Sequence, residues 1–122
     1  MDYKAQMPDD VGKVATVVEL SVVLPVYNEK DNLQQVHSEL KVVLDGIGRP
    51  YEILFVDDGS NDGSIDVLEQ ISTTDVNVRA VQFRRNFGQT AALAAGLDLS
   101  RGDVIVTLDA DLQNDPTDIP DL

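Results

Sequence analysis

The chain has 122 residues, 43% of them hydrophobic, which is the size of one globular domain with a core of its own and argues against two. Its 22 carboxylates against 9 Lys and Arg give a formal net charge of −13, which argues against a nucleic-acid partner and against a polybasic membrane anchor. The absence of cysteine removes disulfides and thiolate chemistry, and a single histidine, His37, argues against a histidine-based zinc site or triad.

In chain order, residues 1–18 read as a flexible leader, because the polar start lacks the basic residues and apolar run of a signal peptide. From Glu19 onward, short runs rich in Val, Ile and Leu alternate with longer segments of helical spacing. Strands are expected at Leu20–Val26, Tyr51–Asp57, Val76–Phe83 and Val104–Leu108. Their nearly continuous apolar runs suit a parallel sheet covered on both faces.

A first helix follows from Leu33, Val36, Leu40, Val43 and Leu44 at three- and four-residue steps. A second spans Ser64 to Ser72, and a third, rich in Ala, spans about Gln89 to Leu99. Gly46 and Gly48 supply a stop for the first helix, and Arg101-Gly102 for the third. No stretch approaches the ~20 apolar residues of a membrane-spanning helix. The final residues read as the entry to a further helix, with Thr117 or Asp118 able to cap it, so residues 19–122 are expected to be an incomplete domain.

Four strands alternating with three helices predict an open, doubly wound, mostly parallel α/β fold. In such sheets ligands bind beyond the carboxyl ends of the strands, where strand order reverses. Three strands end in polar residues: Pro25-Val-Tyr27-Asn28-Glu29, Asp57-Asp58-Gly59-Ser60 and Asp109-Ala-Asp111. If the predicted strands lie in the order 3-2-1-4, Glu29 and the Asp109/Asp111 pair flank one crevice. Asp109 and Asp111 are two residues apart, and in extended chain both side chains leave on one face. Such a pair of hard oxygen donors suits Mg²⁺ or Mn²⁺ shared with a diphosphate. Neither a P-loop nor a Gly-x-Gly-x-x-Gly follows the first strand, so neutralisation by metal is the remaining route to phosphate.

Two other patterns compete. Asp58-Gly-Ser60-Asn-Asp62-Gly63 with Glu69 fits the spacing of a calcium-binding EF-hand loop, although Pro50 and the β-branched residues that lead into it favour a strand over the required helix. The acidic ends ILFVDD and VTLDAD also suit a phosphoacceptor receiver domain, but no lysine follows Asp109.

Four segments in register, SVVLPVYNE, EILFVDDGSNDGS, RRNFGQTAALAAGL and GDVIVTLDADLQNDP, resemble the first half of the inverting family 2 glycosyltransferases. The likeness is strongest to polyprenyl-phosphate glycosyltransferases of the dolichol-phosphate mannosyltransferase type. That resemblance implies a GT-A fold, with Pro25, Tyr27, Glu29, Asp58 and Asp109 in the nucleotide site. It implies Asp111 and Gln113 as ligands of Mg²⁺ or Mn²⁺, with Asp109 a further candidate, and Asp109 and Asp111 as the catalytic pair. The run Arg84-Arg85-Asn86-Phe87-Gly88 is typical of the family but reads equally as a loop into the third helix.

The expected activity is metal-dependent, inverting transfer of a sugar from a UDP- or GDP-linked donor to a polyprenyl phosphate at the cytoplasmic face of a membrane. This chain would supply the donor-binding half, with the acceptor site mostly outside it. The rival is a non-catalytic nucleotide- or metal-binding module.

Overall fold

The computed structural model of the chain describes residues 3–6 and 17–110. A five-stranded sheet carries three helices, in the order β1 (Tyr3–Gln6), β2 (Leu20–Val26), α1 (Leu33–Ile47), β3 (Tyr51–Asp57), α2 (Ser64–Thr74), β4 (Val78–Phe83), α3 (Gln89–Leu99) and β5 (Val104–Thr107). Across the sheet the strands run β1-β4-β3-β2-β5. The four strands anticipated from the sequence are parallel to one another, and β1 pairs antiparallel with β4 at the edge. That edge strand falls within the stretch expected to be a flexible leader.

Alternation along the strands divides the core in two. Val22, Leu24, Val26, Ile53 and Phe55 face α1 and α2, where Leu33, Leu40, Leu44, Leu68 and Ile71 meet them. Val23, Leu54, Val56, Val81 and Phe83 face the opposite way, toward Ala92 and Ala95 of α3. Because β2 and β3 are covered on both faces, nearly every residue in them is apolar and buried. Each such Leu or Phe contributes roughly 1.5–3 kcal/mol on leaving water.

The boundaries have local causes. Gly48 closes α1 at φ 77°, a left-handed conformation that costs glycine nothing. The fourth strand begins at Val78, two residues later than its apolar run suggests, because Asp75 holds a turn. Its Oδ1 accepts the Asn77 N–H at 3.0 Å and its carbonyl accepts the Val78 N–H at 3.1 Å. The Ala-rich α3 lies so close to the sheet that a Cβ on Gly96 would fall 2.3 Å from Cγ1 of Val23.

At the amino ends of the strands, on the α3 face, Glu52 is 1% exposed. Its carboxylate takes Nη2 of Arg79 at 2.8 Å, the Ser21 hydroxyl at 2.6 Å and the Arg101 N–H at 2.6 Å. Burial alone raises its pKa, but the Ser21 hydroxyl, the Arg101 N–H and the charges of Arg79 and Arg101 together hold it below the usual carboxylate range. The Gly102 N–H donates to Ser21 Oγ at 2.8 Å, so the same cluster fixes the start of β5.

Candidate functional site

The order of the sheet reverses between β2 and β5. From β2 the chain steps outward through β3 to β4, then returns through α3 to the other side of β2. At the carboxyl ends of these strands lies a cleft of about 340 Å³. Pro25, Tyr27, Glu29, Asp58 and Asp109, all singled out from the sequence, line it together. So do Val26, Ala110 and Gln89, which sequence reasoning did not select. Gln89 is the first residue of α3, and its side-chain amide donates to Asp109 Oδ1 at 3.3 Å. Asp111 and Gln113 lie outside the described residues.

Asp58 belongs to the cleft wall but is also its principal tie. It is 3% exposed, and its carboxylate accepts the N–H of Phe87 at 2.8 Å, the N–H of Gly88 at 3.0 Å and the Asn86 amide at 3.0 Å. Charge-assisted bonds of this kind exceed neutral ones in strength. They pin the loop that leads into α3 and so set where Gln89 enters the cleft. Gly59 makes the approach possible: its φ is 72°, and a Cβ there would stand 2.3 Å from the Arg85 carbonyl carbon. Within the loop, the Arg85 guanidinium sits 4.9 Å above the Phe87 ring, which meets Phe83 edge-on at 5.6 Å.

The segment with calcium-loop spacing has a different task. It is entered from strand β3 rather than from a helix, and its polar side chains bind three successive backbone N–H groups after β2. Asn28 donates to Ser60 Oγ at 2.8 Å, Glu29 to Ser64 Oγ at 3.2 Å and Lys30 to Asp62 Oδ2 at 3.1 Å. Asp62 Oδ1 also takes the Ser64 N–H at 2.9 Å at the start of α2, where Gly63 occupies the cap position. Asp62 thus serves the helix start from one residue before the cap position.

Beneath this loop Asp57 is 1% exposed; its Oδ2 accepts the Ser60 N–H at 3.2 Å, while Oδ1 has no partner among the described residues. Burial pushes its pKa up, and the neighbouring charges of Asp62 and Asp58 add to that against the opposing bonds from Ser60. His37, set aside as a catalytic candidate, bonds to Asp75 at 2.8 Å and ties α1 to the turn before β4.

The donors that face the cleft are hard oxygens, which match Mg²⁺ or Mn²⁺ better than softer metals. Asp109 is exposed there and accepts the Gln89 amide at 3.3 Å, Asp58 is engaged by the loop, and Glu29 accepts the Asn32 amide at 2.7 Å. No group of three or more His, Asp or Glu side chains forms a cluster able to hold a metal among the described residues. The exposed Asp109 carboxylate is a hard-oxygen donor of the kind that Mg²⁺ takes, one or two at a time, beside phosphate and water.

Solved structures share this architecture. S. aureus TarS superposes with a TM-score of 0.63 at 24% identity, over 77% of this chain and 28% of that one. The mannosyltransferase PcManGT from Pyrobaculum calidifontis, in complex with GDP-Man and Mn²⁺, gives 0.61 at 25% identity, over 80% and 28%. The parallel sheet and the cleft at its reversal point thus define the class as the α/β fold of GT-A glycosyltransferases.

Residues 21–122 match the model of glycosyl transferase family 2, and the chain belongs to that family. It is 45% identical over 117 residues to an undecaprenyl-phosphate 4-deoxy-4-formamido-L-arabinose transferase of Pectobacterium atrosepticum, covering 95% of this chain and 34% of that protein. It is 44% identical over 99 residues to the uncharacterized glycosyltransferase YkcC of Bacillus subtilis, covering 81% and 31%. The chain thus spans about a third of the length of these curated relatives. No helix among the described residues is long and apolar enough to cross a membrane.

Proposed function

We propose that this chain is the donor-binding part of a metal-dependent, inverting glycosyltransferase that moves a sugar from a UDP- or GDP-linked donor to a polyprenyl phosphate at the cytoplasmic face of a membrane. The observation that carries the reading is the convergence of Pro25, Tyr27, Glu29, Asp58 and Asp109 from three strand ends on one cleft. Support for the acceptor comes from relatives whose names specify undecaprenyl phosphate, and support for donor and metal from a structural neighbour that holds GDP-Man and Mn²⁺.

Tyr27 and Glu29 flank the cleft from the β2 side and receive the nucleoside, with Pro25 closing its floor. Asp109 faces the diphosphate side, and Gln89 holds its carboxylate in position. Asp109, Asp111 and Gln113 are the residues that would hold Mg²⁺ or Mn²⁺. When bound, the cation supplies Lewis-acid stabilisation of the charge that builds on the departing nucleoside diphosphate. Attack by the acceptor phosphate oxygen forms the new bond at the anomeric carbon as the bond to the diphosphate breaks on the opposite face. A lipid phosphate is largely ionised at neutral pH, with a second pKa of about 6 as in phosphoamino acids, so the transfer needs little general-base help.

Electron paramagnetic resonance of Mn²⁺ tests the metal assignment. Free-ion signal should fall when protein and a UDP- or GDP-sugar are present together, and Asp111→Ala should restore it. An unchanged signal with wild-type protein, or an identical loss in Asp111→Ala, would contradict the assignment.

A further inference from the structure

Among the described residues, Asn28 is the one non-glycine residue with positive φ, at 54°. Asn is one of the few L-residues that adopt this left-handed region readily, because its short polar side chain can hydrogen-bond locally. Here a single loop supplies the partners that fix it. Ser60 Oγ accepts the Asn28 N–H, and Asn28 Oδ1 accepts the Asn61 N–H at 2.9 Å. Ser60 is anchored in turn to the buried Asp57, whose Oδ2 accepts its N–H at 3.2 Å. The hydroxyl oxygen is the acceptor that holds the Asn28 N–H. Alanine lacks that acceptor and threonine keeps it.

Asn28 stands between Tyr27 and Glu29, both of which line the cleft. A residue in left-handed conformation reverses the chain locally, so its φ sets the directions in which its two neighbours project. We infer that Ser60 is a positioning residue for nucleotide recognition, acting through Asn28 to aim Tyr27 and Glu29 into the cleft. The inference rests on the proposed function, since it needs the cleft to take a nucleoside diphosphate. It assigns the Asp57-Asp58-Gly59-Ser60 turn two separate jobs: Asp58 fixes the α3 side of the cleft, and Ser60 the β2 side.

The test is calorimetric titration of the chain with UDP and GDP in Mn²⁺, on wild type, Ser60→Ala, Ser60→Thr and Ile71→Val. The last loses one buried methyl group in the α1/α2 core and is a control for general destabilisation. Ser60→Ala is expected to bind about five- to tenfold more weakly, the worth of one well-placed hydrogen bond. Ser60→Thr should stay within about twofold of wild type, and Ile71→Val should melt earlier yet bind as wild type does. Equal binding by Ser60→Ala, equal weakening by Ser60→Thr, or comparable weakening by Ile71→Val overturns the inference and leaves the donor site standing. Absence of binding by wild type overturns both.

Discussion

The carboxylate of Asp58 takes the backbone N–H of Gly88 at 3.0 Å, so the end of β3 holds the start of α3, thirty positions further along the chain. The bond places Gln89 beside Asp109 and ties two walls of the cleft together. Asp58→Asn puts an amide NH₂ where an acceptor must face several donors. We expect a loss of ~1–3 kcal/mol in stability, as for a buried donor left unsatisfied, and nucleotide binding weakened at least tenfold. Denaturant unfolding and titration with UDP or GDP measure the two effects, and a variant with wild-type binding would show that the loop does not shape the cleft.

Glu52 should make the fold sensitive to acid. Its folded-state pKa lies below its unfolded one, so its contribution is present above about pH 4.3, the ordinary glutamate value, and is lost as pH falls through the folded pKa. Asp75, with its pKa lowered by His37, the Asn77 N–H and Lys41 against the raising effect of burial, acts in the same direction. Asp57, raised by burial, acts in the opposite one. Glu52→Ala removes the carboxylate that faces the buried Arg79 guanidinium, which keeps the Leu99 carbonyl, and should cost ~3–5 kcal/mol at neutral pH. It should also flatten the decline of stability below pH 4.3, measured by unfolding across pH; an unaltered decline would assign the acid sensitivity to other groups.

Gly96→Ala tests how closely α3 approaches β2. The added methyl group meets Val23 at 2.3 Å, and overpacking of this kind costs ~1–3 kcal/mol. Val23→Ala in the same chain should recover part of the loss. A single variant as stable as wild type would mean that α3 moves outward without penalty.

Much of the fold was legible in the sequence because its signals are local. The nearly continuous apolar runs at 20–26 and 51–57 became β2 and β3, and the steps Leu33, Val36, Leu40, Leu44 became the buried stripe of α1. The edge strand Tyr3–Gln6 was not legible, since four residues without an apolar run acquire strand structure only by pairing with β4. The strand-end rule pointed to the three polar strand ends, and the resemblance to family 2 glycosyltransferases singled out Pro25, Tyr27, Glu29, Asp58 and Asp109 among them as the residues that now line one cleft.

What those residues do was harder to read. The partners of Asp58 are backbone N–H groups 29 and 30 positions away, which no motif displays. Gln89 looked like an ordinary helix start, and its one available signal was its place directly after the Arg84–Gly88 loop. The calcium-like spacing of Asp58, Ser60 and Asp62 reflects a real clustering of oxygen acceptors at one strand end, but those of Ser60 and Asp62 receive the N–H groups of Asn28 and Lys30.

The central claim is that the cleft binds a nucleotide-sugar donor through a divalent cation. Calorimetric titration with UDP- and GDP-sugars, in Mn²⁺ and in chelator, tests it most directly on wild type and Asp109→Ala. The account predicts saturable binding of one of the two donors by wild type in Mn²⁺, strongly reduced by chelator and by Asp109→Ala. Binding of neither donor, or binding that is indifferent to both Mn²⁺ and Asp109, would contradict it.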